Sequence, residues 1–205
     1  MTIKLISITP DAEKTMAYIA RNSSEYQENP DYAKLMRYCI DHRHWSVFEH
    51  ASMTVEITTS RMISAQILRH RSFKFSEFSQ RYAEPMDYVP VNARRQAEKN
   101  RQSSVDNLPA HVRTWWDREQ KEIWEITQQA YRDALSFGVA KESARAVLPM
   151  NTQTRVYMTG DCRSWIHYLQ LRTQEDTQLE HREIAEGIRQ LFIEQFPTVS
   201  EALGW

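Results

Sequence analysis

Only four glycines occur in this chain, Gly138, Gly160, Gly187 and Gly204, and their scarcity constrains it more than any other feature. Their spacings build neither a G-x-G-x-x-G turn nor a Walker loop, so nucleotide binding by a glycine-rich turn is excluded. If the chain holds phosphates, side chains must do it. Arginine is the best candidate, because its planar fork matches a phosphate edge and stays protonated.

The chain has 205 residues, 41% of them hydrophobic, which suits one folded domain spanning 1–205. Its net charge of −1 argues against broad attraction to nucleic acid or membrane, so any anion site has to be local. Cys39 and Cys162 stand in neither C-x-x-C nor Cys/His zinc spacing. No disulfide framework is expected, and the setting reads as reducing and cytoplasmic. The opening "MTIKLISITPDAEK" lacks the apolar core of a signal peptide. No apolar run approaches the roughly 20 residues that a membrane span needs, so a soluble protein is expected.

Periodicity predicts an α+β chain dominated by helices, with a mixed or antiparallel sheet. Residues 3–8 and 52–60 alternate apolar and polar and read as strands, as does 152–160. Asp11 is positioned to cap a helix to about Arg21. A second helix is expected from Asp31 to His42, with Leu35, Tyr38 and Cys39 inward. Ser60 caps a helix from Arg61 to about His70, with Ile63 and Ile67 inward. Residues 82–109 hold three prolines and mixed charge, and read as a long, partly irregular excursion. The longest helix is predicted over 110–138, with Trp116, Ile123, Ile126 and Tyr131 at helical spacing and Gly138 at its end. A short helix at 142–150 is halted by Pro149, Asp161 caps a helix to about Arg172, and a last helix runs from about Asp176 to Gln195.

The stretch "ILRHRSFKFSEFSQRY", residues 67–82, holds Arg69, Arg71, Lys74 and Arg81 against the single acid Glu77. Most charge runs are solvated faces. Here Phe73, Phe75 and Phe78 would be unusual on a purely solvated loop, and Ser72, Ser76 and Ser79 set neutral donors between the cations. Arginine forks with hydroxyls suit a phosphate or a planar carbonyl edge. Arginine planes and phenyl rings suit a flat heteroaromatic ligand.

Arg69-His70-Arg71, seven residues, Ser79, one residue, then Arg81 fixes five positions over thirteen residues. This spacing resembles the signature of the flavin-dependent thymidylate synthases, and the resemblance extends over nearly the whole chain. Upstream, "HRHWSVFEH", 42–50, is similar to the family's H-x-S/T-x-x-E-H element. The three histidines His42, His44 and His50 do not form a helical H-E-x-x-H, so no metal is expected. Downstream, "SARAVLP" (143–149) and "TGDCRSWIHYLQLR" (159–172) are similar to two further family segments. Arg163 and His167 are four apart and share a helix face; Asp161 and Arg172 are three turns apart and align.

The resemblance implies a fold, a reaction and a division of residues. The reaction would be reductive methylation of dUMP to dTMP, with methylenetetrahydrofolate as carbon donor, NADPH as reductant and tightly bound FAD. The dUMP side would take Gln66, Ile67, Leu68, Arg69, Glu77, Phe78, Ser79, Gln80, Arg81, Arg145 and Arg172. The FAD side would take Ser46, Arg69, His70, Arg71, Glu77, Asp161, Cys162, Arg163 and His167. His44 would stand near folate and nicotinamide. Arg172 would be catalytic, stabilising negative charge on the uracil ring. The family forms a homotetramer whose sites are shared between subunits, and the 82–109 excursion is placed to reach a neighbour. Two positions depart from the family pattern. Asp161 stands where asparagine is common, and an ionised carboxylate cannot donate a hydrogen bond. Asp176 stands where a histidine is frequent, and no binding role passes to it. Three other readings stay open on sequence: a nucleic-acid-binding module, a metal-dependent hydrolase built on His42, His44 and His50, and an inactive assembly subunit.

Overall fold

The alternating runs become strands and the periodic runs helices in the computed structural model, which describes every residue except Met86. In chain order the elements are β1 (Thr2–Ile8), α1 (Ala12–Ala20), α2 (Ala33–Asp41), a 3-10 turn (Trp45–Glu49), β2 (Ser52–Ser60), α3 (Arg61–Ile67), β3 (Lys74–Glu77), β4 (Arg95–Gln96), β5 (Ser104–Val105), α4 (Ala110–Ser136), α5 (Lys141–Ala144), a second 3-10 turn (Arg145–Val147), β6 (Gln153–Asp161), α6 (Cys162–Arg172), α7 (Leu179–Gln195) and α8 (Pro197–Leu203). Four strands form one sheet in the order β1-β2-β6-β3, and every pairing is antiparallel.

The sheet follows the two-residue period of the sequence. Met53, Val55 and Ile57 of β2 are fully buried, as are Val156 and Met158 of β6. The core continues from this face into α6 and α7 through Trp165, Ile166, Leu169, Ile184, Ile188 and Phe192. Each such side chain, fully buried, is worth roughly 1.5–3 kcal/mol. Ser60 and Asp161 cap as expected: the side chain of Ser60 accepts from Ile63 N at 3.3 Å and that of Asp161 from Ser164 N at 2.7 Å.

Several expectations need correction. Asp11 precedes α1 in a left-handed conformation (φ 47°) and makes no side-chain cap bond. Helix α2 buries Met36 and Cys39, whereas Tyr38 is half exposed. Helix α4 buries Gln120, Trp124 and Tyr131 and leaves Ile123 and Ile126 open, at 48% and 68% exposure. The long helix therefore carries two apolar faces, and only one packs on its own chain. The segment after α3, to which no element was assigned, contains the strand β3. Helix α7 begins three residues after Asp176, and α8 was not foreseen at all. Pro197 sits in its first turn with φ already set for a helix. Long-range side chains satisfy both of its ends: Glu13 accepts from Val199 N at 2.8 Å, and Arg37 donates to the carbonyls of Glu201 and Ala202. These partners lie 164 to 186 positions away, beyond any local window; only the fold brings α1 and α2 to it.

The excursion at 82–109, which includes Met86 outside the described residues, carries the β4–β5 ribbon. It is tied to its own chain. Trp116 Nε1 of α4 donates to Val91 O at 2.7 Å, and Arg94 clasps Glu180 of α7 through two bonds of 2.6 and 3.0 Å.

Candidate active site

The basic stretch is shaped by one apolar anchor. Helix α3 ends at Ile67, and the chain then turns into β3. Phe73 is 4% exposed, with its ring edge-on to Trp165 at 4.6 Å between centroids. The ring lies over Gly160, where an added Cβ would fall 2.4 Å from it. A glycine is required there by this close approach. With Phe73 drawn inward, Arg69, Arg71, Ser72 and Lys74 are left exposed. Neither Arg69 nor Arg71 has an ion-pair partner among the described residues, so both forks are available to an anionic ligand.

His70 turns the other way. Its Nε2 accepts a hydrogen bond from Arg172 Nε at 2.9 Å. Burial, then the charges of Arg172, His167 and Arg69, push its pKa down to about 4. The ring is therefore neutral at pH 7, and this is why it can accept from a guanidinium. The other Arg172 nitrogens keep their hydrogens for a ligand.

Two clefts are lined by other candidate residues. One, of about 680 Å³, is lined by Trp45, Glu49, Ser72, Asp161, Arg163 and His167 among others. Arg163 and His167 thus share a face as predicted, and Arg163 pairs with Glu49 on the rim. The second, of about 540 Å³, is lined by Arg61, Gln80, Glu142, Arg145 and Thr152 among others. Gln80 is 6% exposed, and its Nε2 has no hydrogen-bond partner among the described residues. A buried amide donor without a partner is costly, and a ligand oxygen in this cleft would satisfy it. Both volumes lie in the range of small-molecule sites.

The remaining candidates are placed as follows. Arg81 stands outside the second cleft on Glu142, at 3.1 Å. Ser79 Oγ accepts from Arg81 N, and Phe78 lines a smaller groove with Thr58 and Arg155. Glu77 meets none of the signature arginines. It accepts from Ser64 Oγ at 2.6 Å and Thr154 Oγ1 at 3.1 Å, and it pairs with Arg61 at 2.8 Å. Ile67 and Cys162 are fully buried in the core. Burial raises the Cys162 thiol well above its ordinary pKa, and its backbone N–H is bonded to Ala51 O, so no reactive thiolate faces either cleft. Ser46 is exposed on the 3-10 turn beside the first cleft, and Leu68 is at the surface. His44 is exposed, edge-on to Tyr38 at 5.7 Å. Among the described residues no group of three or more His, Cys, Asp or Glu could hold a metal ion. Among the described residues no helix is long and apolar enough to cross a membrane.

The helix expected to reach about His70 stops at Ile67, so Gln66 and His70 do not share a helix face. They meet instead around a buried side chain that sequence reasoning missed. His181 of α7 has no exposure. Its Nδ1 is 3.3 Å from Gln66 Oε1, its Nε2 is 3.1 Å from Tyr168 Oη, and its ring centroid is 6.3 Å from that of His70. Burial, then Arg172 and His70, hold its pKa at about 3. A histidine in the apolar stripe of α7 was the available signal.

The family model described as Thymidylate synthase complementing protein matches residues 4–198. The chain belongs to this family. A flavin-dependent thymidylate synthase of Synechocystis sp. is 49% identical over 215 residues, covering 100% of both chains. A probable flavin-dependent thymidylate synthase of Paramecium bursaria Chlorella virus 1 is 47% identical, again over 100% of both. Among solved structures, the UMP/dUMP methylase PolB from Streptomyces cacaoi, bound with 5-Br dUMP, superposes with a TM-score of 0.87 at 27% identity. That match covers 99% of this chain and 94% of PolB. The α+β fold with its antiparallel sheet is therefore that of the thymidylate synthase complementing family.

Proposed function

We propose that this protein is a flavin-dependent thymidylate synthase, a methyltransferase that converts dUMP to dTMP. Methylenetetrahydrofolate is the carbon donor, and NADPH is the reductant through FAD. The observation that carries the reading is the pair Arg172–His70: a permanent cation held at 2.9 Å by a neutral imidazole, whose chain neighbours Arg69 and Arg71 have no ion-pair partner among the described residues. Family membership over residues 4–198 supports it.

The residues fit the cofactor's chemistry. Arg69, Arg71 and Ser72 offer unengaged donors toward a diphosphate, and Asp161, Arg163 and His167 line the larger cleft toward a planar ring system. FAD when bound supplies the two-electron chemistry that no side chain here can perform. Arg145 and Gln80 line the second cleft for dUMP, with Ser79 and Arg81 at its edge; Gln66 and Arg69 complete that side. Arg172 faces the uracil, where its charge stabilises the negative charge that makes C5 nucleophilic. Arginine stays protonated, so it acts electrostatically and takes no proton. The activation of uracil by cysteine addition has no support, because both cysteines are buried and free.

We read the assembly as a homotetramer in which a neighbour completes each site. Ile123, Ile126 and Phe137, at 48%, 68% and 85% exposure, form an apolar stripe that a second copy would cover. The decisive experiment is tritium release from dUMP labelled at C5, by purified protein carrying FAD, with and without folate and NADPH. Release that depends on dUMP and the co-substrates is expected. A colourless protein that cannot take up FAD would sink the reading.

A further inference from the structure

Six side chains link the excursion to the substrate side of α3, and the charge at one end dictates the direction of every hydrogen bond. Arg94 and Glu180 form a bidentate pair at 2.6 and 3.0 Å, with side chains only 10% and 7% exposed. Burial works against the Glu180 carboxylate, but bonds from Arg94 and Gln178 outweigh it and hold its pKa below the ordinary value. An ionised carboxylate only accepts. Gln178 must therefore point its Nε2 at Glu180, 2.9 Å away, and this turns its Oε1 toward Gln66. Gln66 must donate from Nε2 to that oxygen, at 2.7 Å, so its own Oε1 faces His181. His181 must then carry its proton on Nδ1 to donate to Gln66, and its bare Nε2 accepts from Tyr168 Oη.

From this we propose that Arg94, Glu180 and Gln178, with His181, are positioning residues that lock the side-chain amide of Gln66 in one orientation. The lock leaves the second Nε2 hydrogen of Gln66, which has no partner among the described residues, as a fixed donor to the pyrimidine substrate. A fixed N–H suits the carbonyl oxygen of a uracil ring and opposes an amino group at the same place. A free amide would present either face and would have to be ordered on binding. Tyr168 and His181 serve as the far stop. Both are buried, and neither carries charge at neutral pH: burial raises the Tyr168 phenol well above its usual range and lowers His181 to about 3. The inference rests on the proposed function, because that reading gives Gln66 its substrate.

Gln178→Met cuts the chain in its middle without unpairing the buried Arg94–Glu180 ions. Gln178 also occupies the position before α7. Gln178→Ser is therefore the second variant, since serine is a good cap yet too short to reach both neighbours. The measurement is dUMP affinity of the FAD-loaded protein, by titration calorimetry, for wild type, each Gln178 variant, Gln66→Ala and the doubles. A roughly 10-fold loss is expected for Gln178→Met or Gln178→Ser, as for one lost hydrogen bond. The same loss is expected for Gln66→Ala, and no further loss for the doubles, because all act through one amide. FAD content should not change. The inference is overturned if the Gln178 variants bind dUMP within twofold of wild type, or if their loss adds to that of Gln66→Ala. Wild-type protein that holds FAD and fails to bind dUMP would overturn the proposed function as well.

Discussion

Arg172 is singled out at the residue scale by what it touches. A guanidinium beside a carboxylate is partly neutralised, and its field is short. Beside a neutral histidine it keeps its full charge and is only oriented. The burial that holds His70 near pKa 4 thus serves the arginine. Arg172→Ala should retain the flavin, because the cofactor side is built from other residues, and should lose dTMP formation by on the order of 10²-fold or more. Visible absorbance reports the first and product formation the second; normal turnover would remove Arg172 from the chemistry. Glu77 shows the opposite case. It stands as the single acid among four cations in sequence, yet the fold turns it to Ser64, Thr154 and Arg61. Alternation along β3 and pairing with β6 decided that, and neither is visible in a one-dimensional charge count.

At the scale of elements, two features are informative. Gly160 in β6 admits the Phe73 ring and so sets the path of the whole basic stretch. Gly160→Ala would place a Cβ 2.4 Å from that ring. A cost of about 1–3 kcal/mol is expected from overpacking, measured by urea unfolding, together with weakened dUMP binding as Arg69 and Arg71 shift. Helix α4 is the second feature. Its helical apolar spacing was legible, but its inner face was not, because Ile123 and Ile126 look as buried in sequence as Trp124 and Tyr131. The ladder of bonds from Trp116 and Gln120 to Val91 decides which side packs on its own chain. Ile126→Glu should leave the fold intact and shift the assembly to smaller species in sedimentation. An unchanged mass would place the subunit contact elsewhere.

At the scale of the whole molecule, buried neutral histidines make the fold sensitive to acid. His181 has a folded pKa of about 3 against 6.5 when unfolded. The unfolded chain therefore binds the extra proton throughout that window. Stability from this source is fully present above pH 6.5 and falls as the pH drops toward 3. The slope is up to about 1.4 kcal/mol per pH unit. Urea unfolding at pH 7.5, 6 and 5 should show the decline, and His181→Phe should flatten it. A stability independent of pH over that range would mean that His181 is not buried neutral. By itself the sequence determined the class of fold, the strands over 52–60 and 152–160, the caps at Ser60 and Asp161, and the family to which the basic stretch points. These rest on local periods, local caps and fixed spacings, which a chain carries wherever it goes. Tertiary structure alone decided the rest. It placed His181 beside Gln66, and Glu180 at the end of a polar chain that starts at Tyr168. It built α8 from caps lent by α1 and α2, and left one face of α4 without a partner. Each of these depends on contacts between residues far apart in sequence, and burial and hydrogen-bond direction exist only once those contacts have formed.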